Sequence, residues 1–305
     1  MLATMPYMGF IRIEGKDADK FLQGQLTCDI QDLTEANFLL GAYCSQQGRV
    51  QATFRVFKLN GCFYLYLPVE IIPAIITVLQ RYAVFSKVTI TDASAEISAI
   101  GLTGEAIPSI LQKQDYLLPT ADNEVMQTKD VWLVKLLGPR YLLIANSEVI
   151  DKIQANLAAQ VSHDDRAWEL YDIEQGFPII FSSTMDQYTP HVLHYDQLGG
   201  ISFNKGCYIG QEIIARTHYR GQVKQHLNRA IITVADTALP VPGDKVTDQS
   251  GSPIGTIINA SRRRDNAIEL LVVLPQTAMQ TGQLYVANAQ LTLLSLPYTD
   301  SNDTA

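Results

Sequence analysis

Apolar and polar residues alternate along 7 to 13, YMGFIRI, with the period of a strand, and the next segment, EGKDADKFLQGQL, breaks that alternation. There Gly15 marks a turn, and Asp17 is expected to cap a short helix that turns Phe21 and Leu22 inward. Strand patterning resumes over 39 to 68, with a turn at Gln47-Gly48 and a two-residue hairpin signal at Asn60-Gly61. The stretch VEIIPAIITVLQRYAVF, 69 to 85, shifts to helical spacing, and its Pro73 suits a first turn. KVTITDA, EISAIGLTG, VWLVKLLG and RYLLIAN predict further strands, with helices over 105–113 and 147–159.

Residues 165 to 220 read as helix and loop and hold most of the unusual polar positions. From about 228 the pattern becomes short strands cut by Gly and Pro, as in PVPGDKV, QSGSPIGTIINAS, IELLVVL and ANAQLTLLSL, which predicts a small barrel. The fold class is therefore α+β with a C-terminal small β-barrel. The expected organisation is one lobe from 1–50 with 140–225, a second over 51–139, the barrel over 228–299, and a loose tail at 300–305.

Composition narrows the class. Apolar residues make up 47% and charged residues 18% of 305 positions, an ordinary globular balance. No run of about 18 apolar residues occurs and the N-terminus lacks a secretory pattern, so the expectation is a cytoplasmic protein with no membrane partner. A net charge of −8 offers no general basic face to a polyanion. The four cysteines, at 28, 44, 62 and 207, show no metal-type spacing. GxGxxG, P-loop, GxSxG and HExxH motifs are absent.

Four constellations carry candidate chemistry. In FNKGCYIGQE, Cys207 lies between Gly206 and Gly210, ahead of a helix that starts near Gln211 and Glu212. A helix N-terminus with Lys205 close by favours a thiolate. A buried cysteine acting as a small hydrophobe is the alternative. In DRAWELYDIEQGFPII, Trp168, Tyr171 and Glu174 share a helix face, where an aromatic plane and a carboxylate can hold a planar heterocycle or form an ordinary aromatic stripe beside a solvated glutamate. His191 and His194, with Asp196 beyond, lack a third strong metal ligand in the sequence. The tip SRRRD, with Arg262, Arg263 and Arg264, is either a solvated turn or the most basic spot for an RNA contact.

The stretch LGGISFNKGCYIGQEIIARTHYRGQ closely resembles the signature of the YgfZ-type folate-binding, tRNA-modifying proteins, relatives of the glycine cleavage T-protein, an aminomethyltransferase. The likeness extends through DADKFLQGQLTCDI, GAYCSQQGRV, RYAVFSKVTI and IEQGFPII, in order along nearly the whole chain. It implies a three-lobed T-protein-like fold around a channel that binds tetrahydrofolate or a derivative. It also implies support of iron–sulfur enzymes or their assembly, including enzymes that thiolate tRNA. By the resemblance, Trp168 and Glu174 contact the folate, and a family aromatic position near the N-terminus falls on Met8, with Tyr7 and Phe10 beside it. Lys205, Gly206, Cys207, Tyr208, Gly210, Gln211 and Glu212 match the signature loop, with Cys207 as the functional thiol. Where the T-protein carries paired aspartates this chain has Ala52 and Thr53, and neither serves as a proton acceptor at neutral pH. The resemblance thus implies a retained folate pocket without aminomethyl transfer. A folate-dependent one-carbon transferase using Cys207, and direct tRNA binding through the 262–264 arginines, are the competing readings.

Overall fold

A computed structural model describes residues 1–233, 238–281 and 283–298, and the chain forms two compact units. The first comprises Met1–Gly41, Phe54–Trp168 and Lys205–Tyr208; the second comprises Ala42–Thr53, Glu169–Asn204 and the chain from Ile209 onward. The segment expected as a loose tail lies outside the described residues.

Two five-stranded sheets organise the first unit. One orders its strands as Leu2–Ala3, Ile97–Thr103, Arg140–Asn146, Val131–Leu136 and Val125–Thr128. The other runs Phe38–Cys44, Val50–Leu59, Cys62–Pro68, Met8–Glu14 and Thr89–Asp92, the tip of its first hairpin belonging to the second unit. A single apolar cluster draws on both sheets, with Phe10, Phe57 and Tyr66 from one and Ile97, Val134, Leu142 and Ile144 from the other. The Asn60-Gly61 turn has φ of 49° and 75° at its two residues, and Leu59 pairs with Cys62 across it. Two positive φ values in sequence match the right-handed twist of the strands, which is why Asn-Gly is favoured there.

The helices follow the sequence pattern with adjustments at their ends. The segment 69–85 divides into a 3₁₀ turn, Val69–Ile71, and a helix, Ile72–Tyr82, whose Pro73 sits in the first turn. Ile72, Ile75 and Leu79 are its buried stripe, and Val84 and Phe85 stand exposed beyond its end. Helix Ala18–Gln23 buries Phe21 and Leu22 as the pattern requires. Its Asp17 does not cap it: the carboxylate accepts instead from Lys87 N at 2.7 Å, tying the helix start to a distant segment. Strands Leu2–Ala3 and Val125–Thr128 and helix Gln276–Thr281 escape the pattern, since elements of two to six residues are too short to establish a period.

In the second unit, six strands close a barrel in the order Gln225–Ile232, Ile268–Pro275, Pro253–Arg262, Lys245–Thr247, Leu284–Val286 and Ala289–Leu294. Ile268, Leu270, Val272 and Leu274 alternate into its core with Ala230, Ile232, Val246 and Ile257. The same alternation aims Glu269 outward, yet Glu269 is 0% exposed. Its carboxylate is held by two arginines, Arg229 at 2.7 Å and Arg263 at 2.9 Å. A bulge between Ile257 and Asn259 shifts the register of the long strand and re-aims the side chains beyond it. Among the described residues, no helix is long and apolar enough to cross a membrane.

Candidate functional site

The signature loop is held by its lysine. Lys205 is 8% exposed, and its ammonium donates to Leu26 O at 2.8 Å and Cys28 O at 2.6 Å while lying 5.2 Å from the centre of the Tyr208 ring. Burial lowers the Lys205 pKa, with the neighbouring Cys28 and Asp29 acting in the opposite direction. The sequence suggests Lys205 as a charge for Cys207; the ammonium is instead a strut that fixes the loop against the 26–28 turn. Lys205 and Tyr208 are buried, whereas Cys207 between them is exposed. Cys28 and Cys44 are buried, and burial pushes the Cys28 thiol up to about 12 and the Cys44 thiol higher still. Cys62, half-buried, faces the Glu14 carboxylate at 3.6 Å.

The two glycines flanking Cys207 differ in purpose. A Cβ at Gly206 would meet nothing within 4 Å, so no close approach demands glycine there. Gly210 has φ of 79°, and a Cβ on it would lie 2.5 Å from Ser45 O. It precedes helix Gln211–Arg220, which buries Ile214 and carries Glu212 exposed in its first turn. Ile213 packs against Gly48, where a Cβ would approach it to 3.0 Å.

Helix Asp165–Glu174 carries Trp168, Tyr171 and Glu174. Trp168 is 2% exposed and belongs to the apolar cluster of the first unit. Gly101 makes room for its ring, since a Cβ there would sit 2.3 Å from Trp168 Cε3, and the Arg140 guanidinium lies 5.1 Å from the ring centre. Met8 and Tyr7 pack at the partly buried edge of that cluster, while Phe10 is fully inside it, 4.8 Å from the Tyr66 ring. Glu174 is paired at 3.7 Å with Arg229, the same arginine that grips buried Glu269.

The segment after Glu174 is pinned atom by atom. Gly176 has φ of 67°, and a Cβ there would come 2.4 Å from the Tyr298 hydroxyl, which donates to Gly176 O at 3.1 Å. Thr53 donates its hydroxyl to Pro178 O at 2.9 Å and accepts from Ile180 N at 3.2 Å. Asn259, re-aimed by the barrel bulge, accepts from Ile179 N at 2.9 Å and donates to Ile179 O at 3.0 Å. Ala52 beside Thr53 is wholly buried. Thr53 is thus a backbone tie, with both hydroxyl roles used.

Four of the five histidines gather in two pairs. His191 stacks toward His218 with ring centres 6.0 Å apart, and His194 lies 5.7 Å from His226. Burial lowers the pKa of His191, and lowers that of His194 to about 4, with Asp196 pulling both the other way. His218, from helix Gln211–Arg220, brings a third nitrogen or oxygen donor within 4.8 Å of those of His191 and Asp196. Its distance along the chain hides it. A helical reading of QEIIARTHYR marks the exposed face that His218 occupies but not what that face meets.

At the basic tip, Arg263 is engaged with Glu269, and Arg262 donates to Asn266 O at 3.1 Å. The tip thus serves partly to close its own turn and to neutralise a buried carboxylate.

No protein-family model matches the chain. The tRNA-modifying protein YgfZ of Colwellia psychrerythraea is 37% identical over 228 residues, covering 74% of this chain and 70% of that one. The protein of the same name from Pectobacterium carotovorum is 35% identical over 296 residues, 93% of this chain and 87% of its own. That from Blochmanniella pennsylvanica is 33% identical over 293 residues, covering 92% and 88%. Among solved structures, the glycine cleavage system aminomethyltransferase T of Bartonella henselae superposes with a TM-score of 0.76 over 98% of this chain and 86% of that one, at 15% identity. That likeness establishes a T-protein-like fold, and with relatives this similar over most of their length the chain belongs to the YgfZ family of tRNA-modifying proteins.

Proposed function

We propose that this protein serves tRNA modification as a tetrahydrofolate-binding accessory to iron–sulfur enzymes, with Cys207 as its working thiol. The observation that carries the reading is the contrast among the cysteines. Lys205 and Tyr208 are buried and anchored, and the residue they bracket is the one cysteine of the four that is exposed. A small hydrophobe gains nothing from such a position, whereas a thiol that meets a partner or a transient ligand needs it. One cysteine cannot hold an iron–sulfur cluster by itself, because clusters take about four ligands. The thiol therefore acts together with groups brought by a partner.

The folate part of the reading rests on the T-protein-like fold and on Glu174, which stands half-exposed and oriented by Arg229. A carboxylate so held can accept from the N–H groups of a pterin ring. Aminomethyl transfer is not part of the reading, because Ala52 and Thr53 offer no titrating group and the Thr53 hydroxyl already serves the 178–180 backbone.

The test is anaerobic calorimetric titration of tetrahydrofolate into the wild type and Glu174→Gln. Saturable binding in the wild type that weakens about tenfold or more in the variant is expected. No saturable binding in the wild type would end the folate reading. Trp168→Ala is a poor probe, because removing a ring buried this deeply costs about 3–5 kcal/mol of stability and confounds binding with folding. In cells, Cys207→Ala should lower the activity of cluster-dependent tRNA-thiolating enzymes, and unchanged thiolation would remove the thiol from the mechanism.

A further inference from the structure

We infer that His191, Asp196 and His218 form a binding site for one divalent transition-metal ion of the zinc, cobalt or ferrous class. One ligand atom from each of the three lies within 4.8 Å of the others. Metal–nitrogen and metal–oxygen bonds of about 2.0–2.2 Å would bring tetrahedral ligands to roughly 3.3 Å from one another, so closure requires movement of up to about 1.5 Å. Side-chain rotation supplies it, since Asp196 is half-buried and His218 is exposed.

A second observation, independent of that clustering, points to a ligand. His191 is 6% exposed, and neither of its buried ring nitrogens has a hydrogen-bond partner; Asp196 Oδ1 is likewise buried and unpartnered. Buried polar atoms in folded proteins are nearly always bonded, and an orphaned one costs about 1–3 kcal/mol. In the neutral imidazole one of the two nitrogens carries a free lone pair and the other an N–H, so this small volume presents an unpartnered imidazole lone pair beside an unpartnered carboxylate oxygen, a pair of donors suited to a cation.

The surroundings keep the donors close together. His218 stacks on Phe203 with ring centres 3.8 Å apart and planes 16° apart, which holds the imidazole on the side of the helix that faces His191. Tyr219 meets it edge-on at 4.8 Å. His191 and Asp196 belong to a run of turns over 189–198 closed by bonds such as Leu193 N to Pro190 O and Leu198 N to His194 O. Within that run His194 takes φ of 54°, a left-handed conformation uncommon for a non-glycine residue. Two imidazoles and one carboxylate suit zinc, cobalt and ferrous ions over calcium or magnesium, which prefer all-oxygen shells. Three protein ligands leave at least one position for water or an incoming group, the mark of an open site rather than a closed structural one.

The experiment uses tag-free, chelator-stripped protein under anaerobic conditions. Co²⁺ is titrated by absorption and Zn²⁺ by calorimetry, into the wild type, His218→Ala, Asp196→Asn and, as a control, His163→Ala. One ion per chain is expected, with a nitrogen–oxygen ligand field and no thiolate charge-transfer band. His218→Ala and Asp196→Asn should each weaken binding by at least about tenfold, with His163→Ala unchanged. His218 is exposed, so its loss leaves folding intact, and circular dichroism of the variant verifies this. The assignment falls if neither ion binds saturably, or if binding survives unchanged in both ligand variants. It also falls if a thiolate band appears and vanishes in Cys207→Ala, which would place the ion at the signature loop.

Discussion

Two segments of the second unit have the same kind of sequence, polar side chains among apolar ones, and opposite bonding. In 174–180 the backbone is answered group by group: Tyr298 meets Gly176 O, Thr53 meets Pro178 O and Ile180 N, and Asn259 meets both backbone groups of Ile179. In 190–196 the backbone is closed by turns, but both ring nitrogens of His191, Nδ1 of His194 and Oδ1 of Asp196 are buried without partners. The first segment is scaffold, whose polar groups complete one another within the chain. The second holds polar groups that the chain leaves incomplete, at a cost that a ligand would offset. Satisfied burial marks where the fold is specified, and unsatisfied burial marks where something from outside completes it.

Substitutions separate the two kinds of burial, and the largest effect is expected on the satisfied side. Glu269→Leu removes the carboxylate between Arg229 and Arg263 and leaves two cations facing a buried position. Breaking a buried pair in this way costs about 3–5 kcal/mol, read as a lower urea midpoint with the slope unchanged. A loss under about 1 kcal/mol would mean that water takes the place of the carboxylate. Asn259→Leu orphans the N–H and C=O of Ile179 together, for a loss of about 2–4 kcal/mol in the same measurement. Lys205→Met keeps the stem but removes the donor to Leu26 O and Cys28 O, with an expected loss of about 1–3 kcal/mol. That variant should also raise the alkylation rate of Cys28, because loosening the 26–28 turn exposes a thiol that burial otherwise keeps protonated up to about pH 12. An unaltered rate would show that the strut and the turn are independent.

Much of the fold is legible in the sequence because it is carried by local chemistry. Asn60-Gly61, Pro73 in a first turn and the short apolar run of 268–274 each express a rule that needs only neighbouring residues. The signature loop is legible too, as a motif, but its mechanics are not. Lys205 is bonded to Leu26 and Cys28, 179 and 177 positions away, so nothing around Cys207 reveals that the lysine is a strut. Glu269 shows the same limit from the other side. The run IELLVVL is apolar on both faces apart from Glu269, and nothing near it in the sequence shows that Arg229 and Arg263 hold the buried carboxylate. His191 and Asp196 are visible as a pair of donors, while His218 joins them from the helix Gln211–Arg220, across a distance that no spacing rule spans.

The smallest effect, and the one of opposite sign, is expected at His191. His191→Leu replaces an imidazole whose two nitrogens are unpartnered by an apolar side chain of similar volume. Where a satisfied residue would lose stability, this change should leave the metal-free protein equally stable or up to about 1 kcal/mol more so, because an orphaned polar group has been removed from the interior. The sign reverses once zinc is added. At a free concentration about a hundredfold above its dissociation constant, an ion that binds only the folded state adds about 2.7 kcal/mol to the wild type and nothing to the variant. Thermal unfolding of both proteins, with chelator and with zinc, therefore gives curves that cross in rank order. A variant destabilised even in chelator would show that the His191 ring is an ordinary packed core residue, and the division between answered and unanswered burial would fail at the position where it is drawn most sharply.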